Sequence, residues 1–418
     1  MSDQLDVGSC NVGDLFKKKL KIPPYQRPYV WSEDNVNELI DDIKLAMELG
    51  KENYLIGNVI FHKEKENLND EILNIVDGQQ RLTTIYLILE NSIKEKLEYD
   101  NINSGDALKK NKQLINRYKE DKKIDEKFID YLNKNVLVTY ISTTDLDEAF
   151  VLFNSQNTRG KSLDDKDLLK GHHIRFVQRK NRQKECAMEF ENALKTKIND
   201  KDVFTEVLGL IAIIKAAVRG KLWGNELRRA DIYTNFKSEF LNSEILFDKY
   251  HSDFTLTSSV QGGLAFFKYL QKYADFYLEL SKDESFTCYD RLWGGNAYLN
   301  KIYKALLLFY HDKFSDDSYE VEKCLQIILL NLRLKDDRIT KENVASEMKE
   351  CFVEIAFASN KIVVLDKLKR KVSQIGGLDL KQDKDNKLYS GQKKYFIDAT
   401  YFKDEIKNKF KKGRLNVR

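Results

Sequence analysis

At 418 residues, 42% hydrophobic and 33% charged, the chain has the make-up of a soluble globular protein. It is too long for one comfortable hydrophobic core, so two domains are expected. No stretch approaches the roughly 20 continuous apolar residues of a membrane span. The start Met-Ser-Asp-Gln-Leu-Asp lacks the basic region and apolar core of a signal peptide, so a cytoplasmic protein is expected. The net charge of +4 is too small by itself to indicate nucleic-acid binding, but it is unevenly placed. Residues 403–418 hold seven Lys or Arg against two acidic residues, which leaves the rest of the chain near neutrality. In that tail Lys409, Lys411, Lys412 and Arg414 are candidate contacts for DNA phosphates, a solvated terminus being the alternative. The five cysteines are scattered and form no CxxC pair, which argues against a disulfide framework and a zinc ribbon.

In chain order, all three prolines (Pro23, Pro24 and Pro28) fall in Ile22-Pro-Pro-Tyr-Gln-Arg-Pro-Tyr-Val-Trp31. Proline fixes φ and pushes the preceding residue to extended conformations, so this is a stiff arm carrying Tyr25, Gln26 and Arg27. Ser32 reads as the N-cap of a helix with Val36, Leu39, Ile40, Ile43 and Met47 on its apolar face, ending at Gly50. Tyr54–His62 reads as a strand that turns back through a polar stretch into a second strand, Ile72–Val76, as a hairpin. From Leu82 the period becomes helical, with Ile85, Tyr86, Leu89, Ile93 and Leu97 on one face. Residues 98–135 read as polar helices, Val136–Ile141 as a strand, and Asp145 to about Gln156 as a helix capped by Thr144. A polar turn at 157–163 leads into another helix near Asp164. Beyond residue 183 the pattern is helical, with spans at 183–199, 202–219, 226–242, 260–280, 296–312, 317–334, 338–357 and 361–373. The expected fold is α+β, with a mixed α/β domain over 1–180 and a predominantly α-helical domain over 181–418.

The densest polar chemistry lies between the strand and the helix, at Asp77-Gly78-Gln79-Gln80-Arg81. A strand running through a glycine turn into a helix leaves free N–H groups at the positive end of the dipole, which is a ready anion site. Arg81 can add a bidentate fork for phosphate oxygens. The structural alternative is that Asp77 caps the helix, Gln80 bonds backbone and Arg81 pairs with a carboxylate.

Three segments together carry a family resemblance: Ile22–Trp31, Ile75-Val-Asp-Gly-Gln-Gln-Arg-Leu-Thr-Thr84, and Phe153-Asn-Ser-Gln-Asn-Thr-Arg-Gly-Lys-Ser-Leu163 followed by Asp167-Leu-Leu-Lys170. In order and spacing they resemble the DGQQR family found at the N-terminus of GmrSD-type modification-dependent restriction enzymes and in the phosphorothioate-sensing protein SspE. The resemblance implies a ParB/sulfiredoxin-like fold over roughly residues 10–180. It also implies NTP binding and hydrolysis with Mg²⁺, coupled to defence against foreign or modified DNA. Carried over by position, it places Tyr25, Gln26, Arg27, Gly78, Gln79, Asn157, Arg159, Gly160, Asp167 and Lys170 around the nucleotide. Asp77, Gln80 and Arg81 would act in catalysis, with Asp77 also holding the metal.

GmrSD-type fusions end in an HNH nuclease, and that activity does not carry over to this sequence. The histidines after residue 180, His251 and His311, sit in no His-x-x-Pro context. They read as helix-end residues, and cleavage is then expected from a separate HNH partner subunit. His172 and His173, adjacent in sequence, read as one buried and one exposed. Two alternatives stand beside the NTPase reading. One is a ParB-like nuclease using Asp77 with Asp145 or Asp167, and the other is a non-enzymatic module that binds DNA or a partner protein.

Overall fold

Ile72–Val76 are buried without alternation, as befits a strand covered on both faces. The computed structural model describes residues 5–65, 71–93, 95–99, 105–157, 165–177, 179–198, 201–222, 255–258, 262–315, 318–335, 338–375 and 391–406. The chain divides into two compact units, Met1–Glu191 and Asn192–Arg418. The first is built on a sheet and the described residues of the second are helical apart from a hairpin of two two-residue strands, which together make the α+β protein expected.

The strands of the first unit are β1 (Asp6–Asn11), β2 (Lys19–Ile22), β3 (Tyr54–Lys65), β4 (Glu71–Asp77), β5 (Glu98–Tyr99) and β6 (Val136–Thr143). They form one sheet in the order β1-β6-β3-β4-β2-β5, with β3 and β4 at its centre. The expected hairpin is present, since β3 and β4 pair antiparallel, while β3 runs parallel to β6 and β4 parallel to β2.

Period-two alternation sorts the side chains of the sheet into two layers. Val59, Phe61, Leu73, Ile75, Val136 and Val138 join the main core. That core also takes residues of α1 (Val12–Leu15), α2 (Glu33–Glu48), α3 (Gln79–Leu89), α4 (Gly105–Glu120) and α5 (Glu126–Lys134). Ile60 and Val76 point into a smaller cluster with Ala149, Phe150, Leu152 and Phe153 of α6 (Leu146–Asn157). The helix α7 (Asp165–Ile174) follows. Ser32 caps α2 as expected, in a reciprocal capping box with Asn35.

Two differences from the expected elements have physical causes. β1, with Gly8, Ser9 and Asn11, carries little strand signal, yet it pairs over its whole length with β6. A Cβ on Gly8 would stand 2.8 Å from the Tyr140 hydroxyl, so glycine is what lets that ring lie across the strand. The helix expected to run to Leu97 stops at Leu89, where Asn91 and Ser92 favour a turn closed by the Ser92 amide on the Leu89 carbonyl. Ile93 and Leu97 still pack on the core from non-helical chain.

In the second unit, α9 (Val203–Val218) is buried over most of its length and packs with the helices Leu264–Leu280, Gly295–Phe314 and Lys341–Phe357. The expected span 361–373 matches the helix Lys361–Ser373, whereas 226–242 lies outside the described residues. Two buried charges of this unit are met by polar side chains. Lys304 Nζ lies 2.5 Å from Asp290 Oδ1 and donates to the Tyr277 hydroxyl, and Glu322 accepts from Ser285 and Ser318. Among the described residues no helix is long and apolar enough to cross a membrane.

Candidate functional site: the turn after the fourth strand and its arm

β4 delivers Asp77 at its last position, and the chain then turns through Gly78 at φ +84° into α3. That left-handed conformation suits glycine, and space demands it as well, because a Cβ there would lie 2.6 Å from Val59 Cγ1. The Gly78 amide donates to Asp77 Oδ1 at 2.7 Å. Since glycine occupies the N-cap of α3, no side chain covers the first-turn amides from that position.

The arm lies against this turn and is held by side-chain amides. Gln80 Oε1 accepts from the Val30 and Trp31 amides at 2.9 and 3.2 Å, and its Nε2 donates to the Pro28 carbonyl. Gln79 Nε2 donates to the Arg27 carbonyl at 2.8 Å. Farther along, Tyr29 shares a 2.8 Å hydrogen bond with Thr84, and Asn111 donates to both the Tyr29 hydroxyl and the Trp31 carbonyl. Gln26 reaches the other way, donating from Nε2 to the Val76 carbonyl at 2.7 Å, one residue before Asp77. The Tyr25 ring packs on Phe150 at 5.3 Å, and its hydroxyl is buried with no hydrogen-bond partner among the described residues.

With Gln79 and Gln80 occupied in this way, the groups left facing the turn are charged. The exposed Arg27 acts electrostatically on both Asp77 and Asp167 of α7. Arg81 adds its charge beside Asp77. The Arg81 guanidinium lies over Gly57, where an alanine Cβ would come within 2.7 Å of Nη1, and it reaches toward the Asn58 carbonyl at 3.4 Å. Gly57 (φ +116°) sits where the register of β3 against β6 shifts, a bulge that opens space for the arginine. A lone glycine inside a strand-like run was the available signal for this feature.

Burial raises the Asp77 carboxyl above its ordinary value, although the Gly78 amide, Arg81 and Arg27 all pull it down. Asp167 is likewise raised by burial, against Lys170 and Arg27. Burial lowers Arg81, with Asp77 opposing. Lys170 is fully buried, donating to the Gln26 carbonyl at 2.8 Å and pairing with Glu191. Burial lowers its ammonium pKa, and Glu191 opposes that shift.

The structure therefore gathers Gln26, Arg27, Asp77, Gly78, Gln79, Gln80, Arg81, Asp167 and Lys170 around one turn, with Tyr25 against Phe150 at its edge. Arg159 and Gly160, the Asn157 side chain, and tail residues Lys409, Lys411, Lys412 and Arg414 lie outside the described residues. Asp145 is used at the start of α6, where its Oδ1 accepts from the Glu148 amide. Among the described residues no group of three or more His, Cys, Asp or Glu side chains could hold a metal ion. The two adjacent histidines are both buried, contrary to the expectation of one in and one out. The end of α7 is enclosed on every side from Leu169 to Ile174, and the two rings meet edge-to-face at 4.9 Å.

Residues 12–174 match the family of the GmrSD restriction endonuclease, N-terminal domain. The resemblance carried by the three sequence segments is borne out over that range. Residues 184–386 match a family of unknown function, DUF7834. No curated protein matches the chain.

Two predictions follow from the geometry of the turn. Gly78→Ala should lower stability by roughly 1–3 kcal/mol in chemical denaturation, through strain and the clash with Val59. Asp77→Asn should raise stability at neutral pH, because the folded carboxyl sits above its unfolded value and its ionised form opposes folding. The gain should start to shrink at a pH above 3.8, since the folded carboxyl protonates first, and should vanish below 3.8, as denaturation at several pH values would read.

Proposed function

We propose that this turn binds the phosphates of a nucleoside triphosphate and that the protein is a nucleotide-hydrolysing component of a DNA restriction system. One observation carries the reading. Arg27 and Arg81 flank Asp77 at the uncapped start of α3, and Arg27 also faces Asp167. Two partly buried carboxylates with raised pKa values are costly to keep. The two arginines offset part of that cost, and their place beside a helix start that no N-cap side chain covers suits phosphate as well.

Phosphoryl transfer depends on positioning and charge neutralisation more than on covalent chemistry. The first-turn amides of α3 and the Arg81 guanidinium hold phosphate oxygens. Arg27, exposed on a rigid arm, takes up charge that develops as the terminal phosphoryl group moves from its bridging oxygen to water. Asp167 is suited to accept the proton that water gives up, since burial has raised its affinity for one. Gln79 and Gln80 contribute by holding the arm that carries Arg27.

Mg²⁺ fits this donor set. It uses one or two carboxylates and completes its shell with phosphates and water, so Asp77 suffices without an all-protein cage. When bound it would neutralise phosphate charge.

The restriction context comes from the family of residues 12–174, named for a restriction endonuclease. DNA, foreign or modified, is the signal in this reading, and strand cleavage belongs to a separate HNH subunit. Within the second unit His311 lies in the last turn of the helix Gly295–Phe314 with its ring against Tyr310, a packing role.

The test is nucleotide turnover by the purified chain with Mg²⁺, with and without DNA. Arg81→Ala should lower kcat/KM about 10²-fold or more, and Arg81→Lys should not restore it because lysine lacks the planar fork. Absence of both binding and hydrolysis in the wild type, with every common NTP, would overturn the proposal.

A further inference from the structure

Lys170 was expected at the nucleotide, yet its side chain is fully buried and its ammonium is spoken for. It donates to the Gln26 main-chain carbonyl and pairs with Glu191 of α8 (Lys180–Lys195). That carbonyl belongs to the peptide linking Gln26 to Arg27, so whatever holds it sets the direction in which Arg27 leaves the arm. The Gln26 side chain meanwhile bonds the Val76 carbonyl, one residue before Asp77. Three segments are thus tied at one point: α7 through Lys170, the arm through the Gln26 carbonyl, and the end of β4 through the Gln26 amide.

From this juxtaposition we infer that Lys170 is a positioning residue, which fixes the Gln26–Arg27 peptide so that Arg27 stands between Asp77 and Asp167 and which never touches the nucleotide itself. The inference deepens the nucleotide reading and rests on it for its functional consequence. Its structural half, the fixing of the arm, is independent of that reading.

The chemistry explains why a lysine is used. A neutral donor would hold the carbonyl but leave Glu191 buried without a counter-charge. A methionine would fill the space and hold neither. Lys170 also lies one helical turn after Asp167, on the same face of α7, so the residue that anchors the arm helps keep the second carboxylate ionised. A purely structural ion pair would owe its whole effect to the partnership with Glu191. A positioning lysine owes its functional effect to the carbonyl.

Two variants of the full chain separate these roles. Lys170→Met removes both contacts, whereas Glu191→Gln removes the opposing charge but leaves the ammonium on the Gln26 carbonyl. Hydrogen–deuterium exchange is followed in the peptide covering residues 23–31, and binding of inorganic triphosphate and of ATP with Mg²⁺ is measured alongside. Lys170→Met should speed exchange at the arm and weaken nucleotide binding about 10-fold to 100-fold, as the loss of a supporting residue behind a ligand does. Glu191→Gln should lower thermal stability while leaving arm exchange and affinity close to wild type. If Lys170→Met fails to fold, the double variant Lys170→Met/Glu191→Met, which removes the carbonyl contact without leaving a buried charge unpaired, takes its place with the same expected direction. Equal loosening of the arm by the Lys170 and Glu191 variants, or no loosening by the Lys170 variant, would overturn the inference. Failure of the wild type to bind either phosphate probe would sink the nucleotide reading instead, while the exchange data still decide the role of Lys170.

Discussion

The amide of Gln80 is the contact on which the rest of the first unit depends. It sits at the start of α3, and its oxygen takes the two backbone N–H groups of Val30 and Trp31 while its nitrogen gives to the Pro28 carbonyl. A proline-rich arm cannot satisfy its own backbone through a helix or sheet ladder, so its polar groups must be met by side chains. Burying them unmet would cost about 1–3 kcal/mol each. Gln79, Asn111 and Lys170 complete the work at the Arg27, Trp31 and Gln26 carbonyls. Remove these donors and the arm has no reason to lie where it does. Arg27 would then have no fixed relation to Asp77.

This arrangement divides the labour of a short motif. Of five consecutive residues, Gly78 makes the turn, Gln79 and Gln80 bind the arm, and Asp77 and Arg81 supply charge, each half-buried. A motif that looks like a ligand-binding string is, residue by residue, half architecture. The charged half carries a cost, because burial works against the ionised form of Asp77, Asp167 and Arg81 alike. Such conflict between local stability and retained charge is characteristic of sites that act on something.

Much of this was legible in the sequence, and the rest was hidden for definable reasons. The β3–β4 hairpin, the turn at Gly78 and the Ser32 cap were readable because each rests on local signals: apolar runs, a glycine and a capping residue. The long helices of the second unit were readable from their period. β1 was not, since Gly8 and Asn11 hide a strand that exists only because β6 offers it a partner. Gly57 signalled an irregular strand, but that Arg81, 24 positions away, packs over it was not readable from sequence. For Gln80 the structural alternative, bonding to backbone, describes what the structure shows. For Lys170, a lysine near a motif reads as a phosphate ligand, and only burial reveals that it faces inward.

Whether the arm and the turn form one phosphate-binding site is decided by calorimetric titration. A non-hydrolysable NTP analogue with Mg²⁺ is titrated into the full chain and into Arg27→Ala, a substitution at an exposed side chain that leaves the arm's hydrogen bonds intact. Saturable binding to the wild type is expected, with a loss of affinity of at least about 10-fold in the variant, roughly the 1.4 kcal/mol that one decade represents. Equal affinity in the two proteins, or no binding to the wild type, would contradict that expectation.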